Sequence, residues 1–185
     1  KQQVLRAAVS LGKRFSLFHR VSVTAGYNYI ETPLYIPGIN ASSSNIDRYG
    51  FISFRYNYDT RNLNIAPTSG LWFGTDFTYK GIANSEVDYS ILSFDVRNYR
   101  HLSGIFYGKL RLAMREAFGK NIPFYDISIL GVDDRVRGHY NDHLEGNGLI
   151  TGSFETWFNV LEDFPIEFKL PVIPKSLTRY RVSVG

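Results

Sequence analysis

Between Gly131 and Tyr140 the chain reads Gly-Val-Asp-Asp-Arg-Val-Arg-Gly-His-Tyr, a dense run of ionisable side chains between turn-forming glycines. Arg137 carries a planar guanidinium whose fork suits two-point pairing with a carboxylate, and away from bulk water it needs such a partner. Glu155, 18 residues later, is the candidate acceptor. Gly138 lets the backbone approach a wall closely or take a positive φ. The same run also fits a solvated surface loop, and composition leaves both readings open. His139 and His143 stand four apart with Asp142 and Glu145 nearby, but so polar a stretch gathers such groups by chance more often than to hold a metal. Asp133 and Asp134 are adjacent, so their side chains need not converge on one substrate. No Ser/His/Asp spacing falls on a nucleophile elbow, and no glycine-rich phosphate loop opens a helix. The chain has no cysteine, hence no disulfide framework, thiolate ligand or thiol nucleophile. The residues therefore point to a non-enzymatic chain with no cofactor and no metal.

What must position Arg137 and Glu155 is legible in the flanks. The run sits in the longest gap between patterned segments, roughly 119–148, and connections of that length are usually functional or disordered. Before it, 105–118 alternates apolar and polar residues, and after it 149–158 does the same. Upstream, Leu5, Ala7, Val9 and Leu11 alternate with Arg6 and Ser10, and Val21 to Tyr29 with Ser22, Thr24, Gly26 and Asn28. Ile52, Phe54, Tyr56 and Tyr58 oppose Ser53, Arg55, Asn57 and Asp59. Leu71 to Tyr79 and Leu92 to Val96 repeat the two-residue period, and 178–185 begins one more such segment. About eight strands of roughly 8–14 residues result, and no amphipathic helix. They exceed the usual soluble strand of about 5–6 residues and suit a tilted membrane strand of about 9–11.

Charge sits on one face only: Arg55, Asp59, Asp76, Asp95, Arg97, Lys109, Arg111 and Glu155. In a soluble sandwich that face meets bulk water. In a membrane barrel it meets a wet lumen, while the aromatic-rich face meets lipid. Aromatic residues make up 16% of the 185, and Tyr27, Tyr29, Tyr56, Tyr58, Tyr79, Tyr89 and Tyr99, near strand ends, fit an interfacial girdle. Connections tend to alternate, short at Gly12 and Ser103, long at Glu31–Asp47 and Gly119–Gly148, as turns and loops do on opposite sides of a barrel. The net charge of +4 is scattered along the strands, which speaks against a nucleic-acid groove. No run of about 18 apolar residues offers a spanning helix, and a mean hydropathy of −0.18 fits a barrel whose lumen half is polar. The pattern favours the barrel over the sandwich. Lipid-facing strands must close on one another, and the patterned segments at both ends point to part of a larger barrel.

Three blocks then carry a resemblance, spanning Tyr49 to Val184. Tyr58-Asp59-Thr60-Arg61 followed by Pro67-Thr68-Ser69-Gly70-Leu71 resembles the strand–turn–strand of the BamA-type outer-membrane assembly barrels, the bacterial surface antigen family. Val136-Arg137-Gly138-His139-Tyr140 is similar to that family's Val-Arg-Gly-Phe/Tyr loop, with His139 in the aromatic place and Tyr140 one later. Gly146-Asn147-Gly148-Leu149 through Glu155 resembles the strand that follows the loop. The resemblance implies an all-β, transmembrane antiparallel β-barrel of about sixteen strands, of which residues 1–185 supply about eight. It implies that 119–148 is a long extracellular loop folded into the lumen. There Val136, Arg137, Gly138 and Tyr140 would form a latch with Glu155 and with an aspartate beyond Gly185. Asp59, Arg61, Pro67 and Gly70 would form a periplasmic turn motif. The implied location is the bacterial outer membrane. The implied partners are outer-membrane lipid, client outer-membrane proteins and accessory assembly subunits, and the implied role is assembly or insertion of those clients. A two-partner-type secretion pore, or the barrel of a hydrolase-fused outer-membrane protein, would share the same motif and fold. The sequence upstream of Lys1 would separate them: several periplasmic repeats for insertion, a short pair for secretion, a nucleophile elbow for a hydrolase.

Overall fold

A strict two-residue alternation places successive side chains on opposite faces of a strand, so long alternating runs joined by turns dictate a meander. The computed structural model describes residues 2–33, 38–83, 86–130 and 144–158 in full, and 161–167 and 179–184 as backbone. Strands β1 (Gln3–Arg14), β2 (His19–Glu31), β3 (Ile46–Asp59), β4 (Gly70–Ile82), β5 (Asp88–Ser103) and β6 (Phe106–Lys120) follow one another. A single 3₁₀ turn (Phe124–Asp126) and a short pair, β7 (Ser128–Leu130) with β8 (Leu144–Gly146), precede β9 (Gly148–Phe158). β1 to β6 and β9 form one seven-stranded antiparallel sheet in that order. β10 (Leu161–Glu167) pairs with β11 (Arg179–Val184) as a separate ribbon.

Register keeps the two faces apart across the whole sheet. Val21, Tyr56, Thr75, Phe94, Met114 and Ile150 stand opposite one another in turn, as do Ser22, Arg55, Asp76, Ser93 and Arg115 on the other face. The polar rows are tied by hydroxyl bonds, Ser10 Oγ to Thr24 Oγ1 at 2.8 Å and Thr78 Oγ1 to Ser53 Oγ at 2.9 Å. The apolar face is left bare: Leu11 is 76% exposed, Leu110 58% and Phe154 65%. Burying a Leu or Phe side chain is worth about 1.5–3 kcal/mol, so a sandwich would cover this face with a second sheet. Among the described residues nothing covers it, and hydrocarbon is the solvent that suits it. Among the described residues no helix is long and apolar enough to cross a membrane; the candidates for crossing are the strands.

The buried cluster lies on the polar face instead, at the end bearing the 32–45, 83–87 and 121–147 connections. It comprises Ile30, Tyr49, Val87, Tyr89, Ile91 and Ala117, with Ala41, Ile122 and Tyr125 packed against it. Two sequence expectations are corrected here. Tyr89 and Tyr99 belong to no girdle: they share the parity of Asp95 and Arg97, so they point to the polar side and are 1% and 8% exposed. The last expected strand, 178–185, pairs with Leu161–Glu167, which Pro165 and the Glu162-Asp163 pair hide from a period-two reading. The large sheet thus holds seven strands, with β1 and β9 as its edges among the described residues.

Candidate functional site

The long connection turns onto the polar face at once. Gly119 has φ +137, and a Cβ there would lie 2.6 Å from the Asp88 carbonyl oxygen, so only glycine lets β6 end this close to β5. Asn121 follows at φ 52, in the left-handed region asparagine tolerates. The 3₁₀ turn then delivers two anchors. Asp126 accepts a bond from Lys80 Nζ at 2.5 Å and one from the Tyr89 hydroxyl. Arg115 bridges the same turn: its Nη2 donates to the Asp126 carbonyl at 2.8 Å and lies 3.9 Å from the carboxylate, and its Nη1 donates to Ser128 Oγ at 2.7 Å. Lys80, Tyr89 and Arg115 come from β4, β5 and β6, all on the polar face. The second anchor is Tyr125, whose hydroxyl donates to Asp47 Oδ2 at 2.8 Å. Asp47 is fully buried and also accepts from the backbone N–H groups of Ala41 and Ser42, each at 2.9 Å. Burial pushes the Tyr125 phenol well above its ordinary value, with Tyr49 and the Asp47 bond adding to the rise. It therefore remains a donor at any ordinary pH. Phe124 N–H donates to the Ile39 carbonyl at 3.0 Å, joining this turn to the 32–45 connection as well.

Farther along the same face the charges are paired rather than free to do chemistry. Asp95 accepts from Arg97 (2.7 and 3.0 Å) and from Arg111 (2.9 and 3.0 Å). The Arg97 guanidinium also stacks 4.8 Å from the Trp72 ring centre. Asp76 accepts from Arg55, Ser53 and Thr78. A cavity of about 250 Å³ lies among Arg55, Trp72, Asp76, Asp95 and Arg111. A wider one of about 540 Å³ is lined by Arg6, Ser22, Thr24, Ser53, Thr78 and Ser93. Among the described residues no three His, Asp or Glu side chains converge as metal ligands.

Of the sequence-predicted residues, Glu155 lies on the polar face of β9, where Lys109 Nζ donates to its Oε1 at 2.9 Å. Val136, Arg137, Gly138 and Tyr140 lie outside the described residues, as do His139 and His143. The turn set is brought together. Arg61 folds back onto Asp59 through Nε at 2.9 Å and Nη2 at 2.7 Å, and its backbone N–H bonds the same carboxylate at 3.1 Å. That pairing holds the Arg61 guanidinium above even its ordinary range. Gly70 has φ +109, and a Cβ there would sit 2.4 Å from the Thr60 carbonyl oxygen. Pro67 is buried in the same turn, and Asn62 Oδ1 accepts from the N–H groups of Thr68 and Ser69. Asp59, Arg61, Pro67 and Gly70 thus build one clamped turn.

Sequence reasoning missed Asp47, Lys80, Tyr89, Arg115, Tyr125 and Asp126. Parity marks Lys80, Tyr89 and Arg115 as polar-face residues, but Lys80 and Asp126 are 46 apart, and no local rule pairs them. A family model described as the Omp85 superfamily domain matches residues 1–170. No curated protein matches the chain.

Proposed function

We propose, because this chain belongs to the Omp85 superfamily, that its sheet is part of the wall of an outer-membrane barrel that inserts client outer-membrane proteins, as BamA-type assembly factors do. The superfamily as a whole serves outer-membrane protein insertion or secretion, as β-barrels of that membrane. The observation that carries the reading is the pairing of an uncovered apolar face with a charged face onto which residues 121–130 are anchored. Such a barrel acts as scaffold and gate; its polar face holds a loop in place and needs no bond-making groups. Arg137 extends that anchoring as a latch on Glu155, where Lys109 already orients the carboxylate, with a further carboxylate beyond Gly185. Lipid, client proteins and accessory assembly subunits are the partners this role requires.

The test uses the full-length protein in phospholipid vesicles, with a urea-unfolded outer-membrane protein added outside. Faster client folding into the bilayer, read as a heat-sensitive gel shift, is the expected result. Protease-protected but unfolded client inside the vesicles would mean transport through the lumen, and the insertion reading would be wrong. In the same assay Arg137→Ala should slow folding and Arg137→Lys restore it in part, because lysine lacks the fork. A double-mutant cycle with Glu155→Gln isolates the pair; purely additive effects would remove the latch.

A further inference from the structure

The two ends of the sheet carry opposite charge. At the end holding the 15–18, 60–69 and 104–105 connections, residues 12–20, 59–70 and 98–107 contain five cations (Lys13, Arg14, Arg20, Arg61, Arg100) against one carboxylate, Asp59. Both oxygens of Asp59 are occupied by Arg61. At the opposite end, the described residues of the connections hold six carboxylates (Glu31, Asp47, Glu86, Asp88, Asp126, Glu145) against one cation, Lys120. Lys13, Arg14, Arg20 and Arg100 are all exposed, and among the described residues none of them is bonded to a carboxylate.

The same end bears large apolar tips. Leu17 is 77% exposed and Ile65 86%, with Phe15, Phe18, Leu63 and Phe106 also open. Lys13 lies 5.4 Å over the Phe15 ring, and its side chain continues the bare row Leu5, Val9, Leu11. Arg100 continues the row Phe94, Val96. On that face His19 donates to or accepts from the Tyr56 hydroxyl at 2.8 Å, and its ring stands 4.8 Å from that of Tyr58. The order along the sheet is therefore apolar wall, then aromatic and imidazole groups, then unpaired cations with apolar tips. That is the order of hydrocarbon, interface and headgroup in a bilayer.

We propose that this end is a docking surface for anionic glycerophospholipid, with Lys13 and Arg100, which continue the apolar rows, held against headgroup phosphates, while Arg14 and Arg20, paired beside them with the parity of the polar face, add to the positive potential of the same rim. Charge complementarity selects this occupant, because zwitterionic lipid would leave the excess of cations without counter-charge, and an anionic headgroup layer would repel the acidic opposite end. Each cation near an anionic leaflet is worth about a fivefold preference, and screening shortens its reach to about a Debye length. The proposal rests on the membrane-barrel reading above.

The test reconstitutes the full-length protein in phosphatidylcholine vesicles containing trace spin-labelled phosphatidylglycerol or spin-labelled phosphatidylcholine. Electron spin resonance reads two quantities, the amount of motionally restricted lipid and its selectivity. Restricted lipid with phosphatidylglycerol favoured by about threefold or more is expected, falling toward parity in high salt. The variant Lys13→Gln/Arg14→Gln/Arg20→Gln/Arg100→Gln should lose the preference and keep the restricted lipid, whereas Lys120→Gln at the other end should change neither. Equal association of both lipids with the wild type, alongside normal restricted lipid, overturns the proposal and leaves the barrel reading intact. Preference retained in the fourfold variant also overturns it. Absence of restricted lipid of either kind overturns the barrel reading and this proposal with it.

Discussion

Replacing Asp126 with asparagine removes the charge that holds the 3₁₀ turn to the wall while keeping side-chain size. The Asp126 and Lys80 side chains are 15% and 14% exposed, so the pair is largely withdrawn from water. Breaking a fully buried pair costs about 3–5 kcal/mol, because the remaining charge is left uncompensated. Two features reduce that here: some water reaches both groups, and Arg115 keeps its bonds to the Asp126 carbonyl and Ser128. About 2–3 kcal/mol of docking free energy should be lost, roughly a 30- to 150-fold shift toward the undocked turn. The loss is local, since the sheet's own ladder is untouched. Amide hydrogen exchange reads it directly. The Phe124 and Ile127 amides, bonded to the Ile39 and Phe124 carbonyls, should exchange faster by about that factor, with β4 to β6 unchanged. Substituting both partners, Lys80→Met with Asp126→Leu, should recover most of the protection, because no charge is then stranded. Unchanged exchange across Phe124–Ser128 in Asp126→Asn would refute the reasoning; the Tyr125–Asp47 bond and the Arg115 bonds to the Asp126 carbonyl and Ser128 would then suffice to hold the turn.

Phe94→Arg places a cation on the apolar face in mid-strand and should cost about 2–4 kcal/mol in a membrane-folding titration, whereas Ala113→Ser on the polar face should cost well under 1 kcal/mol. Equal costs would remove the assignment of faces. Asp95→Asn would not serve as a mild control, since it strands Arg97 and Arg111. Gly70→Ala should destabilise by about 1–3 kcal/mol through backbone strain at φ +109 and contact with Thr60, read as a lower urea midpoint. Gly104→Ala, at φ +54 with open space around it, should cost less. Single cysteines at Ser43 and Ser103, both exposed at opposite ends of the sheet, should react differently with an impermeant maleimide on intact cells. Labelling at Ser43 alone is expected; labelling at Ser103 alone would reverse the orientation.

The sheet was legible because its signal is local. Period-two alternation needs no tertiary information, and it located β1 to β6 and β9 and assigned Arg55, Asp76, Asp95, Arg111 and Glu155 to one face. The turn at Pro67–Gly70 was equally local, since proline and a positive-φ glycine mark it without reference to the rest of the chain. Where the local signal was overruled, it was by attention to residue type over parity: Tyr89 and Tyr99 are tyrosines near strand ends, yet their odd positions send them to the polar side. β10 was missed because Pro165 and two consecutive acids break its alternation, and pairing with β11 decides the matter instead.

The clasp at Phe124–Asp126 belongs to the other category. Nothing in Asn-Ile-Pro-Phe-Tyr-Asp separates it from a solvated loop; what makes Asp126 an anchor is that three strands set Lys80, Tyr89 and Arg115 around it. Asp47 likewise reads as a loop carboxylate and is in fact sealed by Tyr125, 78 residues away. The sequence by itself determined which residues share the apolar and which the polar side of each strand, because backbone geometry alone fixes that alternation. Only the tertiary structure decided which charges are partners, because a desolvated charge is stabilised by whatever the fold brings within about 3 Å, whatever the separation along the chain.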